Sequence, residues 1–240
     1  MPNLIKHYKK VLLLALPLAL SACDDDDTRE VIVEVEVPAP EPTPVDVSYE
    51  VTVVNLTNGQ PVSPPAIVLH ADGNLWAVGQ VPSVELERIA EEGSSESFLT
   101  LGLASAGGDG PITPGDQQTI SVTIEDITDA KLTIAAMLGN TNDAFTGINA
   151  WDLSQLAVGD SWTTTRPAYD AGTEKNTESA ATVPGPAASG EGFNPTRDDS
   201  GFISMHPGVV SSDDGLSTSA LTVEHKFDNP VIRIQITRTE

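Results

Sequence analysis

Residues 48–53 read SYEVTV, so Tyr49, Val51 and Val53 alternate with polar side chains. Residues 232–237 read IRIQIT and repeat this alternation near the other end of the chain. A period of two is typical of a β-strand with one buried face. Short apolar or alternating runs between them, bounded by Gly, Pro, Asn and Asp, lie at residues 66–70, 98–104, 119–124 and 131–137. Six or more such strands predict an all-β fold, an antiparallel β-sandwich over residues 48–240.

One segment departs from the β pattern and predicts a short helix. Val84, Leu86 and Ile89 are spaced to share one face of a helix. Ser83 precedes them and can serve as the N-cap, because its hydroxyl can accept a hydrogen bond from a free backbone N–H of the first turn. Gly93 follows and can end the helix in a left-handed conformation. We therefore expect one minor helix beside the sandwich.

The composition narrows the class of protein. The 240-residue chain has 35 Asp and Glu against 12 Lys and Arg, a formal charge of −23. This balance argues against a nucleic-acid-binding protein, which needs a basic face to neutralise phosphates. The single cysteine excludes an intrachain disulfide framework and a cysteine-based zinc site.

The N-terminal residues predict export. Three lysines precede the apolar run Val11–Leu20, which is too short to span a bilayer, where a helix needs ~20 residues. Residues 1–22 therefore read as a signal peptide. The residues LSAC at 20–23 resemble the lipobox of bacterial lipoproteins. That resemblance implies that Cys23 is lipidated and that the protein is anchored to a membrane of the bacterial cell envelope, with inner or outer membrane left open.

An extended tether is predicted over residues 23–47. Four aspartates at 24–27 follow the cysteine, and prolines alternate at 38, 40, 42 and 44. Alternating prolines remove backbone donors and favour an extended polyproline chain. The Val/Glu alternation at 31–37 leaves open a first strand there. A second segment of low complexity, residues 175–200, predicts a mobile surface insertion.

Two acidic turns are the candidate functional residues. Asp143 lies in NTNDAFTG at 140–147, directly after an apolar run, and YDAGTE follows at 169–174. A bend at Gly172 can aim Asp170 and Glu174 inward together. Converging carboxylates with only oxygen neighbours favour a hard cation, Ca²⁺ before Mg²⁺ or Zn²⁺. The spacing alone equally allows two ordinary acidic turns.

An ordered series of short runs resembles the spondin domain, the N-terminal module of F-spondin and mindin. The resemblance covers nearly all of residues 48–238. The matching runs are LTNGQP at 56–61, SPP at 63–65, His70, VG at 78–79, IAEEG at 89–93, PG at 114–115, Met137, TNDAF at 141–145 and DAGTE at 170–174.

The resemblance implies an antiparallel β-sandwich with bound calcium and, as in the animal adhesion and matrix proteins, no catalysis. The family's calcium acids match Asp143, Asp170 and Glu174. The animal proteins have Asp where this chain has Glu174, and Trp where it has Ala144. Their disulfide cysteines are absent here.

Two functions follow as hypotheses. The first is a non-catalytic, lipid-anchored, calcium-binding module of the cell envelope that presents its loops to a glycan, matrix polymer or protein in adhesion or ligand binding. The alternative is a secreted, glycosidase-like hydrolase with paired carboxylates, for which no short sequence signature exists. The chain has no G-x-S-x-G, H-E-x-x-H or P-loop motif. Carboxylates in an open groove would favour the hydrolase.

Overall fold

The computed structural model describes residues 45–125 and 130–240. The signal peptide, Cys23, nearly all of the tether and the alternative strand at 31–37 lie outside these residues. Within them, no helix is long and apolar enough to cross a bilayer.

The described residues form ten strands and one α-helix, with four short 3₁₀ turns between them. The strands are β1 Asp46–Asn55, β2 Ala66–His70, β3 Ala104–Gly107, β4 Gln117–Glu125, β5 Lys131–Met137, β6 Ala144–Asp152, β7 Ser161–Arg166, β8 Ala168–Asp170, β9 Ser204–Met205 and β10 Ile232–Arg238; the helix is α1 Val84–Glu92. The 3₁₀ turns are Phe98–Leu101, Leu153–Gln155, Ser212–Asp214 and Val223–His225.

The strands form two antiparallel sheets that pack face to face. One sheet has the order β4-β1-β10-β7, and the other has the order β3-β2-β5-β6-β8-β9. The main core lies between them and contains fully buried side chains from both, such as Tyr49, Ile134 and Ile234. The antiparallel β-sandwich with one short helix is thus confirmed.

Strand β1 begins at Asp46, two residues before the boundary expected at Ser48. Val47 continues the alternation of Tyr49 and Val51 and is 2% exposed, so it belongs to the core rather than to the tether. The burial of alternate residues follows directly from the period-two pattern.

Helix α1 begins and ends where its sequence indicates. The Ser83 hydroxyl accepts a hydrogen bond from the N–H of Leu86, and Gly93 takes a left-handed conformation at φ 70°. The buried Leu86 and Ile89 pack in a second core, on the face of the larger sheet that points away from the sandwich interior. The helix and its caps are confirmed, but Val84, which was expected on the buried face with Leu86 and Ile89, is exposed.

The run 98–104 was expected as a strand, and this expectation is wrong for most of it. Phe98–Leu101 forms a 3₁₀ turn, and β3 begins only at Ala104. The Thr100 hydroxyl donates to the carbonyl of Ser97 at 2.7 Å and stabilises the turn. Side-chain bonding to the local backbone here competes with strand pairing.

Residues 175–200 pack against the domain instead of forming a detached insertion. Val183 is fully buried in a small cluster with Val209 and Leu221. Arg197 pairs with Glu87 on α1. A few well-placed side chains attach this segment, although its composition is rich in small residues.

Candidate cation site

The pairing of β6 with β8 brings the two predicted acidic turns together. Asp143 directly precedes β6, and Asp170 is the last residue of β8, opposite Ala144 in the antiparallel register. The N–H of Ala171 donates to the carbonyl of Asp143 at 3.2 Å. Asp143 and Asp170 therefore lie at the same end of the larger sheet.

Asp143 is fully buried, and its two oxygens have different surroundings. Oδ2 accepts the N–H of Thr173 at 2.7 Å, the N–H of Glu174 at 3.0 Å and the Thr173 hydroxyl at 3.2 Å. Oδ1 has no hydrogen-bond partner in the protein. Burial, and then the charge of Asp170, raise the pKa of Asp143 to about 7.

Asp170 is held by its own turn. Its Oδ1 accepts the N–H of Gly172 at 2.7 Å, and its Oδ2 accepts the side-chain amide of Asn176 at 2.7 Å. Gly172 takes φ 72°, and a Cβ there would lie 2.4 Å from the carbonyl oxygen of Phe202, so this bend requires glycine. The predicted bend at Gly172 is present, and after it the N–H groups of Thr173 and Glu174 donate to Asp143.

Glu174 is 5% exposed, and its Oε2 has no partner. Burial raises the pKa of Glu174 to about 8, and the charged neighbour that contributes most is Glu91, ahead of Asp143. Its carboxyl thus lies near helix α1 as well as near Asp143. The structure brings Asp143 next to both Asp170 and Glu174.

The three predicted acids line one buried region without converging on one point. Within residues 45–125 and 130–240, no group of three or more His, Cys, Asp or Glu side chains is arranged to hold a metal ion. The calcium assignment stays a prediction.

The donor atoms nevertheless suit a hard cation. Buried side-chain oxygens without a partner include Asp143 Oδ1, Glu174 Oε2, Asn176 Oδ1 and Glu91 Oε1. All four are oxygen donors of the kind that Ca²⁺ binds. The ion pairs in the described part of the chain are Arg88–Glu92, Lys175–Asp198, Arg197–Glu87 and Lys226–Asp214. Among residues 45–125 and 130–240, no basic side chain forms an ion pair with any of these acids, although the charge of Arg197, which pairs with Glu87, contributes to lowering the pKa of Glu91.

Sequence reasoning missed Glu91 as a site residue. It lies on α1 and is 1% exposed, and its Oε2 accepts the N–H of Asn194 at 2.8 Å. Burial raises the pKa of Glu91 most, and the Thr173 hydroxyl lowers it. A signal was present, because Glu87 and Glu91 are four residues apart and flank Ile89 and Ala90 on the buried face.

The described histidines do not join the acids. His70 bonds the Thr133 hydroxyl through Nε2 at 2.9 Å, and His225 bonds Thr222 near the surface. His206 is buried beside Phe227, and its Nδ1 accepts the N–H of Gly208 at 3.0 Å. Burial lowers the pKa of His206 to about 4, so it is neutral at pH 7.

No protein-family model matches this chain, and no curated protein matches it. The resemblance to the spondin domain therefore rests on the sequence runs alone.

Proposed function

We propose that this protein is a non-catalytic, lipid-anchored module of the bacterial cell envelope. Its spondin-like β-sandwich binds calcium with Asp143, Asp170 and Glu174. Cys23 holds it to the membrane, and the domain presents its loops to a glycan, matrix or protein ligand. The anchor is testable by fatty-acid labelling, which Cys23→Ser should abolish.

The single observation that carries the calcium proposal is Asp143 Oδ1. This oxygen is buried and has no donor, while Asp170 lies beside it and, in the part of the chain that the structure describes, no basic side chain pairs with either acid. An ionised carboxylate in such a place costs several kcal/mol unless it is paired. A divalent cation supplies the missing charge and takes oxygen ligands.

The burial of these acids favours a binding site over a hydrolytic one. Asp143, Asp170 and Glu174 are 0%, 4% and 5% exposed. A glycosidase places its two carboxylates on either side of the bond that it cleaves, so both must face a groove that admits a sugar chain. Buried acids bound by their own backbone suit a structural ion.

The experiment compares the thermal midpoint of the full chain in calcium and in EGTA. Extracellular calcium modules have Kd ~10⁻⁴–10⁻³ M, so at about 10 mM calcium the fold gains ~1.4–2.7 kcal/mol. For a domain of this size the midpoint should rise by roughly 3–10 °C.

Asp170→Asn should abolish most of this rise, because it removes a charge and keeps the acceptor for Gly172. Asp109→Asn is the matched control, since Asp109 is an exposed acid in a turn, remote in sequence from both acidic loops. It should keep the whole rise. A wild-type midpoint that is equal in calcium and EGTA contradicts the proposal.

A further inference from the structure

A cleft of about 480 Å³ lies at one end of the sandwich, where the β1–β2, β3–β4 and β5–β6 loops meet residues 186–187 and 224–225. Its volume falls within the range of small-molecule sites, about 300–1,000 Å³. The candidate calcium acids Asp143, Asp170 and Glu174 do not line it. The cleft is therefore a separate candidate site.

Two buried amide side chains fasten the loops that form the cleft. The Gln60 side chain donates to the carbonyl of His225 at 2.7 Å and to the carbonyl of Asn140 at 3.2 Å, and its Oε1 accepts the N–H of Asn140 at 2.9 Å. The Asn140 side chain in turn donates to the carbonyl of Gly59 at 2.9 Å and accepts the N–H of Ala187 at 2.9 Å. These bonds join four of the five segments around the cleft. Its walls are thus held in place before a ligand arrives, which lowers the cost of binding.

The side chains that line the cleft combine polar groups with proline rings. His225 Nδ1 accepts the N–H of Thr222 at 3.0 Å, so the proton of the neutral ring is on Nε2, which can donate to a ligand. The Glu224 carboxylate is exposed, forms no ion pair in the described part of the chain and can accept two hydroxyl groups. Three proline rings, which are apolar and carry no N–H, complete the walls: Pro61, Pro114 and Pro186.

The lining disfavours an anionic ligand. None of the described residues that line the cleft is Lys or Arg, and the neighbouring Lys226 is paired with Asp214 at 2.9 Å. A phosphate, a sulfate or a uronic acid would meet the Glu224 carboxylate with no compensating cation in the lining, and like charges repel. A ligand of this cleft is therefore neutral.

The lining also differs from that of a protein interface. The side chains that usually anchor such interfaces are Trp, Tyr and Arg, and none of them is among the described residues of the cleft. A neutral sugar suits it better. Sugar hydroxyls form strong hydrogen bonds with a carboxylate, and the C–H face of a sugar ring can pack on proline.

We propose that this cleft binds a neutral sugar unit of a glycan. Glu224 accepts hydrogen bonds from sugar hydroxyls, and His225 Nε2 donates one. Asn140 is a positioning residue, because its side chain is already bonded to two walls of the cleft. This inference rests on the proposed function, because it selects the glycan among the ligands of that module and assigns its site.

The experiment titrates the full chain with four neutral disaccharides: maltose, cellobiose, lactose and N,N′-diacetylchitobiose. At least one of them should shift the backbone amide NMR resonances of Ala187 and His225, with a Kd of about 1 mM or below. Glu224→Ala should bind that sugar about tenfold more weakly, because it removes a charged acceptor. Asp228→Ala is the matched control, since Asp228 is an exposed acid four residues further along that does not line the cleft. It should bind within twofold of the wild type.

A second readout separates a contact with the ligand from a structural effect. Glucuronic acid should bind more weakly than glucose to the wild type, and Glu224→Gln should narrow that difference, because it removes the repelling charge and keeps an acceptor. His225→Ala should also weaken binding of the disaccharide. If His225→Ala does not fold, the exposed Glu224 still provides the comparison.

The outcomes distinguish this inference from the calcium proposal. If a disaccharide binds equally well to wild type and Glu224→Ala, the assignment of the cleft is overturned. If no disaccharide shifts these resonances while calcium raises the thermal midpoint, the sugar inference is overturned and the calcium site stands. Equal binding of glucuronic acid and glucose to the wild type also contradicts the inference, because it shows that Glu224 does not face the sugar.

Discussion

Glu87 and Glu91 can be compared directly, because both are buried on the same face of helix α1 but only Glu87 forms an ion pair. Glu87 is paired with Arg197, which reaches it from a segment 110 residues further along the chain. Glu91 accepts the N–H of Asn194 and has no ion-pair partner among the described residues, so Arg197 acts on it only through charge from the Glu87 pair. The first acid is neutralised from within the chain. The second has a backbone donor on one oxygen and no partner on the other.

Removal of Arg197 should have the largest effect and should make Glu87 resemble Glu91. Arg197→Met leaves the Glu87 carboxylate, 3% exposed, without a counter-charge. Loss of one partner of a buried pair destabilises by about 3 kcal/mol, and the partial exposure of Arg197 keeps the value at the lower end of the usual range. The free energy of unfolding of wild type and variant, measured in denaturant, gives this loss of stability.

The matched control for Arg197→Met is the double variant with Glu87→Gln. The second change removes the uncompensated charge, so it should recover a large part of the lost stability. If the single and double variants are equally unstable, the loss comes from packing and the comparison between Glu87 and Glu91 fails.

Buried His206 should show a smaller, pH-dependent effect on stability, because burial disfavours its charged form and no acid among the described residues pairs with it. Burial lowers its pKa to about 4 from a usual 6.5. The unfolded chain therefore takes up a proton at a higher pH than the folded chain does. Stability is fully present above pH 6.5 and falls as the pH drops towards 4, so that about 2 kcal/mol is lost at pH 5.

His206→Gln should remove that part of the pH dependence, because Gln does not titrate in this range. The informative quantity is the difference in unfolding free energy between wild type and variant, measured at each pH. A difference that stays constant from pH 7 to pH 4 would show that His206 titrates normally.

Substitution of an exposed polar pair should have the smallest effect on stability. The hydroxyls of Thr52 and Thr119 lie 2.8 Å apart on the outer face of the β4-β1-β10-β7 sheet. Water can replace either partner there, so Thr52→Val should change stability by less than about 0.5 kcal/mol. A loss comparable to that of Arg197→Met would contradict the view that burial decides these costs.

The parts of the fold predicted from the sequence are those encoded locally. Helix α1 follows from the spacing of Leu86 and Ile89 and from its caps, and strand β5 has the bounds 131–137 that its apolar run indicates. Residues 98–101 were mispredicted, since the apolar side chain of Phe98 is buried equally well by a 3₁₀ turn. A short apolar run does not distinguish these states.

The candidate site was predictable only in part for a similar reason. Asp143 and Asp170 both stand at strand ends, and the sequence placed them together. Burial and missing counter-charges depend on contacts between distant segments, such as the hydrogen bond from the N–H of Asn194 to Glu91. The spacing of residues along the sequence does not predict such a contact. The attachment of residues 175–200 through Val183 and Arg197 depends on distant contacts in the same way.

The most direct test of the account is to locate the ion. Crystals grown in millimolar calcium, with terbium as an anomalous substitute, should show one strong peak at ~2.3–2.6 Å from Asp143 Oδ1 and from an oxygen of Asp170. Crystals without a peak at Asp143, or with peaks only at exposed acids, would contradict the claim that this buried group of carboxylates is a cation site.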